Sequence, residues 1–428
     1  MTTELVCTVW ILLIVQCNTL VGSPLKFRKS LDEPIDPDAY RNASQLITSK
    51  GYPCEEHEVH TADGFILGLQ RIPMGKSGQT DSSPPVVLVQ HGLLASSMCW
   101  LDNLVNESLG YLLADAGFDV WFGNSRGNVY SRKHEKYSPS QREFWDWSWD
   151  EMAKYDLPAT INYILKMTGA QQLYYIGHSQ GTEIGFAQFS QDQDLGKKVK
   201  LFIALAPVAF LKYIKSPIRY LLPFASDAEE FLALFGEYDF LPNTNINRWL
   251  AQFICGFKIP DFLCENVFFI FGGFDFKQMN MSRVPVYVAH TPAGTSTFNI
   301  MHYAQSVTSG NFQMRDFGSP EENMKHYNQK YPTFLPCGIL DFEVLTWLTT
   351  PPLYDVTKMQ TPVALYSGTS DWLGDPQDYA RLLPLLRNVK RNKVIEGWEH
   401  LDFLWAMDGP LECYHDLIDL IKIDSRVV

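Results

Sequence analysis

The run Gly177-His178-Ser179-Gln180-Gly181 sets a serine between two glycines, with an apolar stretch, Leu173 to Ile176, before it and a helical stretch, Thr182 to Phe189, after it. That context gives G-x-S-x-G its meaning: strand, strained turn and helix lift the serine out, and the glycines let helix and strand cross closely. A serine hydroxyl is a weak nucleophile, so it needs a base and a carboxylate that orients the base. In this arrangement the partners follow in the order Ser, Asp or Glu, His, each in a loop after a later strand. Beyond Lys330 stand two histidines, His400 and His415. His400, in Trp398-Glu399-His400-Leu401-Asp402 just after the apolar run Lys393 to Ile395, is the candidate base; His415 falls inside a terminal helical pattern, Leu411 to Ile421. Asp371 follows the run Pro362 to Tyr366 through Ser367-Gly368-Thr369-Ser370 and is the candidate acid. Its rival Asp375, beside Pro376, reads as a helix N-cap, and Asp402 as the cap of the helix after His400. Acyl transfer puts negative charge on a carbonyl oxygen, which two fixed backbone N–H groups can hold. The pattern assigns these to Gln180 and to Leu93 in His91-Gly92-Leu93; His91 reads as a turn residue and His178 as packing beside the serine.

These residues need a sheet to place them. Cys54 to Ile72 alternates polar and apolar residues around Asp63-Gly64, which predicts an antiparallel hairpin. Pro85 to Gln90, Phe118 to Phe122, Leu173 to Ile176, Pro362 to Tyr366 and Lys393 to Ile395 are apolar runs of strand length, with helical stretches at Leu109 to Ala116 and Met152 to Lys166. Buried strands alternating with helices predict an α/β fold with a mostly parallel central sheet flanked by helices. The alternation breaks between about Pro207 and Lys330, where helical, aromatic-rich stretches such as Ala228 to Phe235 and Ile246 to Phe253 predict an inserted helical cap over the sheet's C-terminal edge. The expected division is residues 1–23 as a leader, 24–206 as the first part of the core, 207–330 as the cap or lid, and 331–428 as the second part of the core.

The chain has 428 residues, 46% of them hydrophobic and only 19% charged, a globular composition that excludes disordered and coiled-coil classes. Its formal charge of −13 repels phosphate backbones, so nucleic acid is excluded as a partner and neutral or apolar substrates are favoured. Eight cysteines include no Cys-x-x-Cys pair, and no metal or cofactor is expected. Leu5 to Val15 is an apolar run too short to span a bilayer and precedes the small residues Val21-Gly22-Ser23, as in a cleaved signal peptide, although Met1 to Glu4 carries no basic residue. Three Asn-x-Ser sequons, at Asn42, Asn106 and Asn280, agree with the secretory pathway. Cys255 and Cys264 are close enough to close a small disulfide loop, the alternative being two buried thiols.

His91-Gly92-Leu93-Leu94, Gly117 to Gly127 (GFDVWFGNSRG), Ser131-Arg132-Lys133-His134, the serine motif, Asn280-Met281-Ser282-Arg283, Ala293-Gly294-Thr295-Ser296 and His400-Leu401-Asp402-Phe403 together resemble the vertebrate acid lipase family, which includes gastric and lysosomal acid lipases. The resemblance runs from about Asp36 to the C-terminus. It implies an α/β-hydrolase core with a helical cap and lid, and hydrolysis of triacylglycerols or cholesteryl esters at a lipid–water interface, at acidic pH. It further implies Ser179, Asp371 and His400 as the triad, Leu93 and Gln180 as oxyanion donors, and a Cys255–Cys264 disulfide. A secreted or lysosomal monomer with no transmembrane segment in its mature form is the corresponding expectation. Two departures stand out. Glu183 follows Thr182 where the family usually has a second Thr, and an apolar segment, Thr333 to Pro351, is added where the family pattern joins almost directly; deleting it is expected to raise soluble yield. Phe268-Phe269-Ile270-Phe271 reads either as acyl-pocket lining or as core. A short-chain carboxylesterase and an inactive binding protein of the same fold are the competing readings.

Overall fold

The computed structural model of the protein describes residues 36–78, 83–216, 219, 238–242, 278–327 and 351–426. Among them, β1 (Glu55–His60), β2 (Phe65–Ile72), β3 (Val86–Gln90), β4 (Asp119–Gly123), the short β5 (Lys133–His134), β6 (Leu173–His178), β7 (Val199–Leu205), β8 (Val363–Gly368) and β9 (Val389–Ile395) form one sheet. Its order is β1-β2-β4-β3-β6-β7-β8-β9, with β5 on β2. The predicted hairpin is present, with Glu55 opposite Arg71 and His60 opposite Ile66; from β4 to β9 every pairing is parallel. β3, β4, β6 and β8 are buried along their whole length, which is why their sequences are unbroken apolar runs rather than alternating ones. β9, at the edge, is largely exposed.

The helices that matter to the site are α1 (Leu109–Asp115), α2 (Leu157–Thr168), α3 (Gln180–Gln191), α4 (Val284–His290), α5 (Thr297–Ser309), α6 (Pro376–Leu382) and α7 (His415–Arg426). Two large apolar clusters cover the sheet. One contains Trp100, Tyr111, Tyr287, Trp398 and Trp405; the other contains Trp147, Trp149, Ile161, Phe186, Phe189 and Phe202.

The order turns back at β3: β4 lies on one side of it and β6 on the other. At such a point the loops leaving the C-terminal ends of two neighbouring strands diverge and open a crevice between them. The two loops here carry His91-Gly92-Leu93 and Ser179.

Two expectations change. Met152 to Lys166 is not one regular helix: Met152–Asp156 is a π-helical turn and α2 begins after it, with Pro158, which has no N–H to give, in its first turn. β7 is an additional strand, wedged between β6 and β8. The expected helices Ala228 to Phe235 and Ile246 to Phe253, the run Phe268 to Phe271, the leader, Cys255, Cys264 and all but Pro351 of the added segment lie outside the described residues.

Candidate active site

Ser179 sits where β6 passes into α3, at φ 52° and ψ −119°. A non-glycine residue there costs on the order of 1–3 kcal/mol and persists only where its surroundings hold it. Here the Ser179 N–H donates to Leu205 O at 3.1 Å, and the Thr182 hydroxyl donates to Ser179 O at 2.7 Å while accepting from Val208 N–H at 2.8 Å. The flanking glycines are obligatory for closeness: a Cβ on Gly177 would lie 2.6 Å from Gly181 O, and one on Gly181 would lie 2.4 Å from Gln90 O.

The structure brings Asp371 and His400 together. His400 Nδ1 lies 2.9 Å from both carboxylate oxygens of Asp371, and both side chains are buried. Asp371 Oδ1 also accepts the Leu373 and Gly374 N–H groups at 2.9 and 2.7 Å, which fixes the carboxylate as an acceptor facing the imidazole. The loops themselves are joined: Ser370 N–H donates to Trp398 O at 3.1 Å and Gly397 N–H to the Thr369 hydroxyl at 2.8 Å. His400 Nε2, the nitrogen left to take a proton, is buried with no hydrogen-bond partner among the described residues.

His178 does more than pack. Its Nε2–H donates to the His400 backbone oxygen at 3.0 Å, and the two rings lie 4.9 Å apart, so the residue before the serine holds the main chain of the candidate base. Burial, reinforced by the neighbouring His400 charge, keeps the His178 imidazole neutral, well below the ordinary histidine range.

The turn after β3 closes by Ala95 N–H to Gly92 O, and Gly92 lies so near the elbow that a Cβ there would stand 2.8 Å from Ser179 Cβ. His91 is buried beneath this turn. Ser125 N–H donates to its Nε2 at 3.0 Å, so Nδ1 carries the proton and donates to Gly92 O at 2.8 Å. That fixes the peptide whose N–H belongs to Leu93; burial holds His91 at about 4, so it stays neutral in weak acid. At the other wall, Ser179 O takes the Thr182 and Glu183 N–H groups, whereas Gln180, first in α3, has no preceding turn to receive its own N–H. A carbonyl oxygen can therefore be met by donors from both sides.

Several supporting residues are ones to which the sequence pattern assigns no role at the site. Asn128 and Asn124 brace His91 and the turn after β3, and Tyr303 and Asn299 on α5 reach the first turn of α3. Asp375 caps α6, its side chain accepting Gln377 N–H at 2.8 Å, and pairs with Lys215 at 2.8 Å. Asp402 is corrected: it lies inside the short helix Asp402–Trp405 and its carboxylate accepts Glu399 N–H at 2.6 Å, tightening the His400 loop instead of capping. His415 is exposed at the start of α7. Of the sequon asparagines, Asn106 is exposed, Asn42 is exposed while capping the helix Ala43–Ser49, and Asn280 donates to Glu107 at 3.1 Å. Among the described residues no cluster of three His, Cys, Asp or Glu could hold a metal ion, and no helix is long and apolar enough to cross a membrane.

Comparison with known proteins gives the following. Residues 85–406 match a family described as alpha/beta hydrolase fold, and residues 43–104 one described as partial alpha/beta-hydrolase lipase region. Gastric triacylglycerol lipase of Rattus norvegicus is 49% identical, over 97% of this chain and 100% of that one. Lysosomal acid lipase/cholesteryl ester hydrolase of Homo sapiens is 47% identical, over 91% and 92% respectively. Among solved structures, DcsB in complex with its substrate analogue shares the fold at a TM-score of 0.50, with 13% identity over 87% of this chain and 99% of that one.

Proposed function

The chain belongs to the α/β-hydrolase fold family and, within it, to the acid lipases, and from that premise we propose that it is a serine-dependent lipase that hydrolyses carboxylic esters of neutral lipids, triacylglycerols or cholesteryl esters. The observation that supports this reading is the buried His400–Asp371 pair, whose main chain is bonded to His178, the residue directly before the strained Ser179. Ser179 Oγ attacks the ester carbonyl as His400 Nε2 takes its proton, and the C=O electron pair moves onto oxygen, where the Leu93 and Gln180 N–H groups hold it. Collapse expels the alcohol, which receives the proton from His400 and leaves an acyl group on Ser179. Water, deprotonated by His400, then releases the fatty acid and returns the proton to Ser179. Asp371 keeps the imidazole in the tautomer that leaves Nε2 free to accept.

The acidic working range belongs to the same reading. His91 and His178 stay neutral in weak acid, and Asp102 and Asp150, raised by burial to about 7 and about 8, are neutral there too, so acid adds no charge to these buried positions. Residues 207–330 serve as cap and lid, Cys255 and Cys264 as a disulfide, and Asn42, Asn106 and Asn280 as glycan acceptors on a secreted or lysosomal monomer acting at a lipid–water interface.

The test compares purified wild type and Ser179→Ala on tributyrin and on emulsified triolein from pH 4 to 9. Wild type is expected to cleave both, fastest below pH 7, and Ser179→Ala to lose on the order of 10⁶ in kcat with its fold intact. Tributyrin activity without triolein activity would assign a short-chain esterase, a fastest rate above pH 8 would end the acid-lipase reading, and a Ser179→Ala variant with more than a few per cent of wild-type rate would remove Ser179 from its role.

A further inference from the structure

Glu183 lies one turn past the nucleophile on α3 and is wholly buried. A carboxyl in such a place is costly unless its surroundings use it. One oxygen accepts the Tyr303 hydroxyl at 2.5 Å, and the other is buried with no partner among the described residues. The Gln180 side chain in turn donates to Asn299 Oδ1 at 3.3 Å, and Asn299 stands on α5 one turn before Tyr303. Asn299 is itself held, its Nδ2 donating to the Thr295 hydroxyl at 3.1 Å. The first turn of α3 is thus tied to α5 at two points, Glu183 to Tyr303 and Gln180 to Asn299, and Gln180 is the residue whose main-chain N–H faces the reacting oxygen.

We propose that Glu183 is a positioning residue: through its bond with Tyr303 it ties the first turn of α3 to α5 and so sets that turn, with its oxyanion N–H, against the Gly92-Leu93 turn. The inference rests on the ester-hydrolase reading of Ser179 and deepens it.

Such a residue has a signature that a packing residue lacks. Burial raises the Glu183 carboxyl to about 8; the Tyr303 hydrogen bond opposes this and the Asp150 charge adds to it. The other ionisable neighbours are engaged elsewhere. Asp150 takes the Tyr354 hydroxyl and the Arg315 N–H, Asp156 pairs with Arg126, Tyr175 donates to Gly181 O, and Lys358 pairs with Asp355 at the surface. Glu183 is therefore neutral in acid and acquires charge as pH passes about 8. An anion one turn from Ser179 opposes the negative charge that develops on the substrate oxygen, so kcat must fall on the alkaline side.

The experiment measures kcat and KM on tributyrin from pH 4.5 to 9 for the purified full-length chain and its variants. Tyr303→Phe and Glu183→Leu are each expected to lower kcat about tenfold with KM within about twofold, and the double variant to be no worse than the poorer single, because both cut the same bond. Glu183→Gln keeps an acceptor for Tyr303 without a charge; it is expected to recover most of the kcat lost in Glu183→Leu and to move the alkaline fall upward by about one pH unit or more. If Glu183→Leu fails to fold, Tyr303→Phe, which keeps the ring and removes only the hydroxyl, carries the test. A Tyr303→Phe enzyme with wild-type kcat and pH profile, or a Glu183→Gln enzyme whose alkaline fall has not moved, overturns the inference and leaves the ester-hydrolase reading standing. A wild-type chain that hydrolyses no ester overturns both.

Discussion

Asp102 is a carboxyl that the fold keeps neutral, and its replacement makes a measurable case. It is fully buried in the turn after Ser97–Trp100; Oδ1 accepts Trp405 Nε1–H at 2.9 Å, and Oδ2 has no partner among the described residues. Burial raises its pKa from 3.8 to about 7 against the opposing pull of the Trp405 hydrogen bond and the Arg283 charge. An acid whose folded pKa lies above its unfolded value holds its proton more tightly when folded, so the stability this gives is complete below about pH 4 and is lost as pH rises through 7. At about 1.4 kcal/mol per pH unit, a shift of about three units corresponds to about 4 kcal/mol by pH 8. With an unfolding entropy near 2 cal/mol/K per residue, a chain of this length converts that to a Tm change of about 5 °C. Asp102→Asn keeps an oxygen for Trp405 and substitutes a neutral amide for the acid proton. Calorimetric melts at unit steps from pH 4 to 8 should show the two proteins alike near pH 4 and the variant about 5 °C higher at pH 8. A difference that does not vary with pH, or a variant less stable than wild type at pH 8, would refute the assignment of a neutral buried Asp102.

Two further substitutions separate positioning from packing. Gly92→Ala forces a methyl to 2.8 Å from Ser179 Cβ and 3.1 Å from His178 Nδ1; the displaced oxyanion turn should lower kcat about 100-fold or more, measured with tributyrin beside an unchanged circular dichroism spectrum. Asp375→Ala removes the α6 cap and the Lys215 ion pair, costing about 1 kcal/mol in urea unfolding while leaving kcat at pH 5 within about twofold.

Much of the core was legible because buried parallel strands write themselves as unbroken apolar runs, as in Val86–Gln90 and Leu173–His178. Val199–Leu205 carries the same run, but Lys197, Lys198 and Lys200 at its head make it read as the polar end of the preceding helix. Ser179, His400 and Asp371 could be proposed from residue order and their places after strands. The residues that steady them could not. His178 reaches His400 across 222 positions, and Tyr303 reaches Glu183 across 120, pairings that no local pattern encodes. The burial of Glu183 was equally hidden, because a carboxyl in the first turn of a helix is the ordinary preference for a solvated face.

The bond from His178 to the His400 backbone also bears on how the chain is made. Synthesis delivers the first half, with β3, β4, β6 and β7, well before β8 and β9 exist, and the strands that present Asp371 and His400 can dock only against the exposed side of β7. A nascent chain long enough to display Ser179 therefore lacks both the proposed base and the contact that fixes it, and contacts of such long sequence separation form late. Catalytic competence becomes a checkpoint on completion: fragments ending before Val389 should be chemically silent however well their own half has folded, and turnover in a growing pool of chains reports only those that have closed the sheet.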